Sequence, residues 1–214
     1  MNHTQMRRSS LVMWMCFATW TACSMAPEVA HGGEDCKHLN NQAMFAFVNY
    51  QMDTARHASL DSALVLIDSA IHCDTNYYVA LHNKLTILYE TRQYRACIAV
   101  IHRLKMLSRS PVPLLIANEA MCNYFIGETQ EYERLKAIAI RESESNAEEL
   151  PNEQNAGQVL MIRAMLNGQE DALRYLEILK AQGFTSLDYA LYEQLIREMP
   201  THGAPGSPEF EVAP

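Results

Sequence analysis

The densest set of chemically capable side chains is His31, Glu34, Asp35, Cys36 and His38, carried within one short stretch. Imidazole, carboxylate and thiolate are the donors that bind zinc and other transition metals. Gly32-Gly33 interrupts the set, however, and a metal-rich composition without fixed spacing defines no coordination geometry, so no metal site is assigned. His57, His72 and His102 fall at helix ends or on helix faces, where solvated or capping imidazoles are common. No G-x-S-x-G nucleophile turn, H-E-x-x-H zinc helix or phosphate-cradling glycine loop occurs. The sequence therefore predicts no catalytic residue, no metal and no cofactor, and a binding protein in place of an enzyme.

The remaining reactive groups are cysteines, and their meaning depends on where the chain folds. Arg7 and Arg8 precede an uncharged apolar run from Leu11 to Trp20, followed by the small residues Thr21-Ala22-Cys23-Ser24. Residues 1–23 thus have the charged, apolar and small-residue order of a secretory signal peptide, with an apolar core about half of what a spanning helix needs. Two cuts stay open. One follows Ser24; the other precedes Cys23, which would then carry a lipid as in bacterial lipoproteins, although Trp20 stands where that pattern has an aliphatic residue. In an oxidising compartment Cys36, Cys73, Cys97 and Cys122 can pair in three ways. If helices over about 38–56 and 59–73 form an antiparallel hairpin, Cys36 and Cys73 meet at one end of it. Cys97 and Cys122 are about equally far from the Ser108-Arg109-Ser110-Pro111 turn, yet burial as two small apolar residues explains them more simply.

Charge narrows the partners. The 214 residues carry 25 acidic and 17 basic side chains, a net charge of −8, and removal of residues 1–23 would take away two arginines and leave −10. Such a chain offers no field for a phosphate backbone, so no nucleic acid is expected, and a membrane is expected only through a lipid at Cys23. With 49% hydrophobic residues, the chain has the material for one packed domain.

Positioning falls to helices. From 38 to 199 apolar residues recur at three and four with no period-two alternation, which predicts an all-α domain. Residues 24–37 read as a flexible lead-in, and 200–214, with four prolines, as a disordered tail. Leu60, Ala63, Ile67 and Ala70 recur thirty-four residues later as Tyr94, Cys97, Ile101 and Leu104. Thirty-four is the period of one helix-turn-helix repeat. With Asp74-Thr75-Asn76-Tyr77, Ala80-Leu81, Leu88-Tyr89 and Arg92-Gln93-Tyr94, the segment 60–108 resembles the tetratricopeptide repeat, and the likeness continues less closely to about 182. Thr75 for proline, Cys97 for alanine and the lack of glycine before Tyr94 depart from the pattern. A third hairpin is predicted from Ser110-Pro111 through the Gly127-Glu128 turn. The five-glutamate segment 142–153 is expected as an acidic loop or frayed helix end. A fourth hairpin turns at Asn167-Gly168, and a helix opening at Thr185-Ser186-Leu187-Asp188 would cap the stack.

The resemblance implies a short right-handed superhelical stack of antiparallel hairpins, a TPR-like α-solenoid whose first helices line a concave wall. In that register Asn49, Met52, His82, Asn83, Thr86, Tyr89, Glu90, Met121 and Tyr124 face a partner protein segment. The basic, asparagine-rich clamp of chaperone-binding members is missing, because His82 and Thr86 occupy its places. The expected function is non-catalytic protein binding in the envelope of a bacterium, in the periplasm or on the outer membrane as a lipoprotein, in assembly of an envelope complex. The alternative is an immunity or inhibitor protein whose acidic surface blocks a basic toxic enzyme.

Overall fold

The computed structural model describes residues 33–53, 55, 57–108, 112–184 and 187–199. The signal segment with Cys23, residues 24–32, Ser110-Pro111, Thr185-Ser186 and the tail from 200 lie outside the described residues. Among the described residues the chain forms nine α-helices and no strand. They group into two compact units, 33–108 and 112–199.

In the first unit α1 (Glu34–Met52) and α2 (His57–Cys73) form an antiparallel hairpin. The buried residues of α1 are Cys36, Asn40, Ala43 and Phe47, and those of α2 are Ala63, Ile67, Ala70 and Ile71, each set a single stripe at helical spacing. Helix α1 begins at Glu34, four residues ahead of the expected start at 38. Glu34 and Asp35 in its first turn complement the positive end of the helix dipole, which favours the earlier start. A disulfide joins Cys36 to Cys73 at the shared end of the hairpin, with 5.6 Å between their Cα atoms.

The chain then turns at Asp74, whose carboxylate accepts the backbone N–H of Asn76 (2.9 Å), and enters α3 (Tyr78–Glu90). Helix α3 packs on both α2 and α1. Its partner α4 (Tyr94–Leu107) buries Cys97, Val100, Ile101 and Leu104. Ala63, Ile67 and Ala70 and their counterparts Cys97, Ile101 and Leu104 are all fully buried, so the thirty-four-residue spacing marks equivalent core positions. Between α3 and α4, Arg92 adopts φ 59°, the left-handed conformation for which a glycine would be better suited.

The second unit contains α5 (Pro113–Phe125), α6 (Thr129–Glu149), α7 (Glu153–Asn167), α8 (Gln169–Ala181) and α9 (Tyr189–Glu198). Helix α5 packs on α6 and on α7, and α7 packs on α6 and α8. The acidic stretch expected as a loop or frayed helix end is helical to Glu149. Asn155 accounts for this: its amide donates to the carbonyls of Asn146 (3.2 Å) and Leu150 (2.8 Å), giving the end of α6 the partners a helix C-terminus lacks. Ser143 is buried and donates to Ile140 O (2.8 Å), and Glu144 bonds Arg163 of α7. Asn152 caps α7 by accepting from the Asn155 N–H at 2.9 Å. Gly168, at φ 94°, makes the abrupt turn into α8.

Helix α9 closes the unit against α7 and α8. Ile196 and Leu187 are buried there beside Leu160, Leu176 and Leu179. Asp188 caps α9 by accepting from Leu191 N (3.1 Å), and Gln169 donates to the carbonyls of Arg197 (3.2 Å) and Met199 (2.5 Å) at its other end. A Cβ at Gly157 of α7 would lie 2.2 Å from the Tyr192 hydroxyl, so the missing side chain is what lets α9 sit this close.

Candidate functional site

The first unit brings two of its odd-numbered helices side by side. Helices α1 and α3 each run antiparallel to α2, hence parallel to one another, and touch through the Asn83 amide donating to Asn40 Oδ1 at 2.8 Å. This pair fixes the register between the helices: Asn40 is level with Asn83, so at equal rise per residue Phe47 stands level with Glu90. Asn40 is buried within the apolar stripe of α1, and the hydrogen bond offsets the cost of placing its amide there.

On this wall the predicted site residues have different surroundings. Met52 is 75% exposed, whereas Asn49, His82, Asn83, Tyr89 and Glu90 are half-buried. Thr86 is buried and its hydroxyl donates to His82 O within the same helix (3.2 Å), which leaves it little surface to offer a partner. The His82 ring lies edge-on to Tyr78 with centroids 4.7 Å apart, and its Nε2 is enclosed without a hydrogen bond. Burial lowers its pKa to about 4, so the imidazole is neutral at physiological pH. Lys84, the lysine of α3, reaches across to Asp68 of α2 at 2.5 Å. The wall therefore carries amides and an uncharged imidazole where a carboxylate-binding clamp would need cations.

Met121 and Tyr124 belong to the second unit. Met121 is buried, and Tyr124 packs against Phe125 (5.6 Å) and Tyr132 (5.3 Å). Tyr89 meets Tyr94 in the same way, edge to face at 5.6 Å. Each unit thus repeats one device, a tyrosine at the end of a first helix set against a tyrosine opening the second. The Tyr132 hydroxyl is buried and donates to Leu166 O at 3.0 Å.

Sequence reasoning missed two exposed apolar side chains of the wall. Phe45 and Val48, 70% and 44% exposed, line up with Met52 at i, i+3 and i+7 on the side of α1 turned away from Ala43 and Phe47. The signal was present: α1 is apolar on two opposite faces, and only one of them can pack on α2.

The main polar centre of the second unit is structural in its geometry. Arg163 spans three helices, bonding Glu144 of α6 and Asp171 of α8 (2.7 Å) and covering the Tyr175 ring at 4.5 Å. Burial pushes the Asp171 carboxyl up, but the hydrogen bonds from Asn167 and Arg163 outweigh it and hold the group below its ordinary value. Both carboxylates are engaged by the guanidinium, and no nucleophile stands beside them among the contacts described. Among the described residues no three His, Cys, Asp or Glu side chains converge as metal ligands, and no helix is long and apolar enough to cross a membrane. Compared with family models, with curated proteins and with solved structures, the chain matches none.

Proposed function

We propose that the chain is an exported, non-catalytic binding module of tetratricopeptide type, which holds a segment of another protein on the wall formed by α1 and α3 and takes part in assembling an envelope complex. The observation that carries this reading is the side-by-side placement of α1 and α3 through the Asn40–Asn83 pair. In a stack of hairpins, first helices that touch one another form a continuous surface free of the second helices. Contact of α5 with α7 repeats the arrangement inside the second unit. The Cys36–Cys73 disulfide supports folding in an oxidising compartment, and so export. The acidic inhibitor has less support, since Glu144 of the glutamate-rich segment is engaged by Arg163.

Site-specific photocrosslinking in the producing cells tests the reading. A crosslinker at Met52, exposed at the end of α1, should trap one discrete partner protein, while one at Asp61, exposed on α2, should not. Equal trapping at both positions, or none at Met52, would overturn it. Partner release by moderate salt would return the inhibitor reading to first place, because a contact steered by charge weakens with ionic strength and an apolar one does not.

A further inference from the structure

We infer that the Cys36–Cys73 disulfide is a thiol-exchange site with a fixed direction: a dithiol enters at Cys73, Cys36 is the sulfur released, and the start of α1 opens with the bond. The two sulfurs differ in access. Cys73, the last residue of α2, is exposed, whereas Cys36 is 3% exposed within the stripe that packs α1 on its neighbours. Exchange requires a thiolate to reach the sulfur it attacks, so access selects Cys73. The approach lies on the outer side of α2, where Val65, Asp68, Ser69, His72 and Cys73 line a surface pocket. The thiolate forms a new S–S bond to Cys73, and the bonding pair of the old disulfide leaves on Cys36, which takes a proton from water. The second thiol of the reagent, as thiolate, then attacks the reagent sulfur of the mixed disulfide, closes the reagent's own disulfide and releases Cys73 as a thiolate. Two electrons have passed from the dithiol to the two cysteines. In reverse, an oxidised dithiol is attacked by Cys73 and displaced by Cys36, which closes the bond by the same path.

What the bond holds is the weaker end of the first hairpin. The chain joins α1 to α2 at the opposite end, so the disulfide closes the end that the chain leaves open. There the buried stripe of α1 consists of Cys36, Asn40 and Ala43, with Leu39 half-buried beside it, and its large ring, Phe47, lies nearer the turn. Side chains that small contribute little by burial, and the cost of burying the Asn40 amide is offset only while Asn83 donates to it. Asn40 is one turn from Cys36 on the same face. Loss of the bond therefore frees the start of α1 and parts Asn40 from Asn83. The redox state of the two cysteines decides whether α1 and α3 lie side by side there.

The test uses the full oxidised protein. Brief treatment with a monothiol, 2-mercaptoethanol, then N-ethylmaleimide and peptide mass mapping, should place mercaptoethanol on Cys73 and maleimide on Cys36, with the buried Cys97 and Cys122 unmodified. An adduct on Cys36, equal adducts on both, or no adduct without urea would overturn the inference, the last because the bond would then be a permanent staple. Mercaptoethanol on Cys73 with Cys36 closed to maleimide would overturn the opening of α1. Hydrogen exchange then compares the oxidised protein with the protein reduced by dithiothreitol. Amides of residues 38–43 should exchange at least about tenfold faster after reduction, while those of α3 and α4 stay protected. Unchanged exchange at 38–43, or loss of protection through α3 and α4 together, would overturn it. Cys36→Ser with Cys73→Ser should show the fast exchange with and without dithiothreitol, and a response to the reagent in that variant would place the switch elsewhere.

Discussion

His82 shows how a single side chain can govern the response of this protein to acid. Its enclosed ring has a pKa of about 4 against an ordinary value of 6.5, so between those values the unfolded chain binds a proton that the folded one refuses. Stability should therefore be intact above pH 6.5 and decline as the pH falls from 6.5 toward 4. Urea titrations across that range should show the loss in the wild type and a flatter profile in His82→Gln. Tyr132 acts at the other extreme. Burial first, then the charge of Glu133 and the neighbouring Tyr124, push its phenol up to about 12. The folded state then holds its proton after the unfolded chain has released it, and stability should fall between about pH 10 and 12. Tyr132→Phe should remove that alkaline loss and cost about 1–3 kcal/mol at neutral pH, read from the urea midpoint, because it leaves Leu166 O without its donor. None of this was legible in the sequence. His82 could be placed on the wall by counting from Tyr94, but its enclosure depends on packing, and Asn40 read as one more polar residue until α3 brought Asn83 to it.

The helices were more legible than their ends. Period and breakers placed the hairpins, and the fully buried Ala63 and Cys97 occupy the positions where a small side chain lets two helices approach. The end of α6 was not legible, because what extends it is an amide from the next helix, Asn155, and five glutamates within twelve residues resemble a solvated loop or a frayed end. The second apolar face of α1 could be read only in part: Met52 was assigned to the wall, while Phe45 and Val48 of the same stripe were not. The reason for a glycine within α7 lies across the unit, where Gly157 meets Tyr192. Replacing Gly157 by alanine adds helix propensity worth about 1 kcal/mol but forces Tyr192 outward or lifts α9. We expect Gly157→Ala to destabilise the wild type, with faster hydrogen exchange in α9, and to stabilise a Tyr192→Ala background by about 0.5–1 kcal/mol. The same sign in both backgrounds would show that the close approach does not constrain α9.

At the level of the whole chain, covalent reinforcement among the described residues is confined to the first unit. Cys36 and Cys73 enclose nearly all of both helices of the first hairpin, at a sequence separation of 37. A crosslink over a loop of that size stabilises by about 3–4 kcal/mol in the chain-entropy account. Cys36→Ser with Cys73→Ser should lose about that amount in urea unfolding, and early exchange should appear in α1 and α2. Net charge was legible from composition, whereas the pairing of cysteines needed the hairpin before one of three patterns could be selected. The same hairpin separates the thiols by accessibility. Cys73 sits at an exposed helix end, while Cys97 and Cys122 are wholly buried in α4 and α5. Packing of each helix within its own unit thus withdraws two sulfurs from exchange, so that an oxidase meeting the folded or nearly folded chain finds one competent pair. The fold acts as its own protecting group: scrambled isomers can arise only from chains whose core has not yet closed.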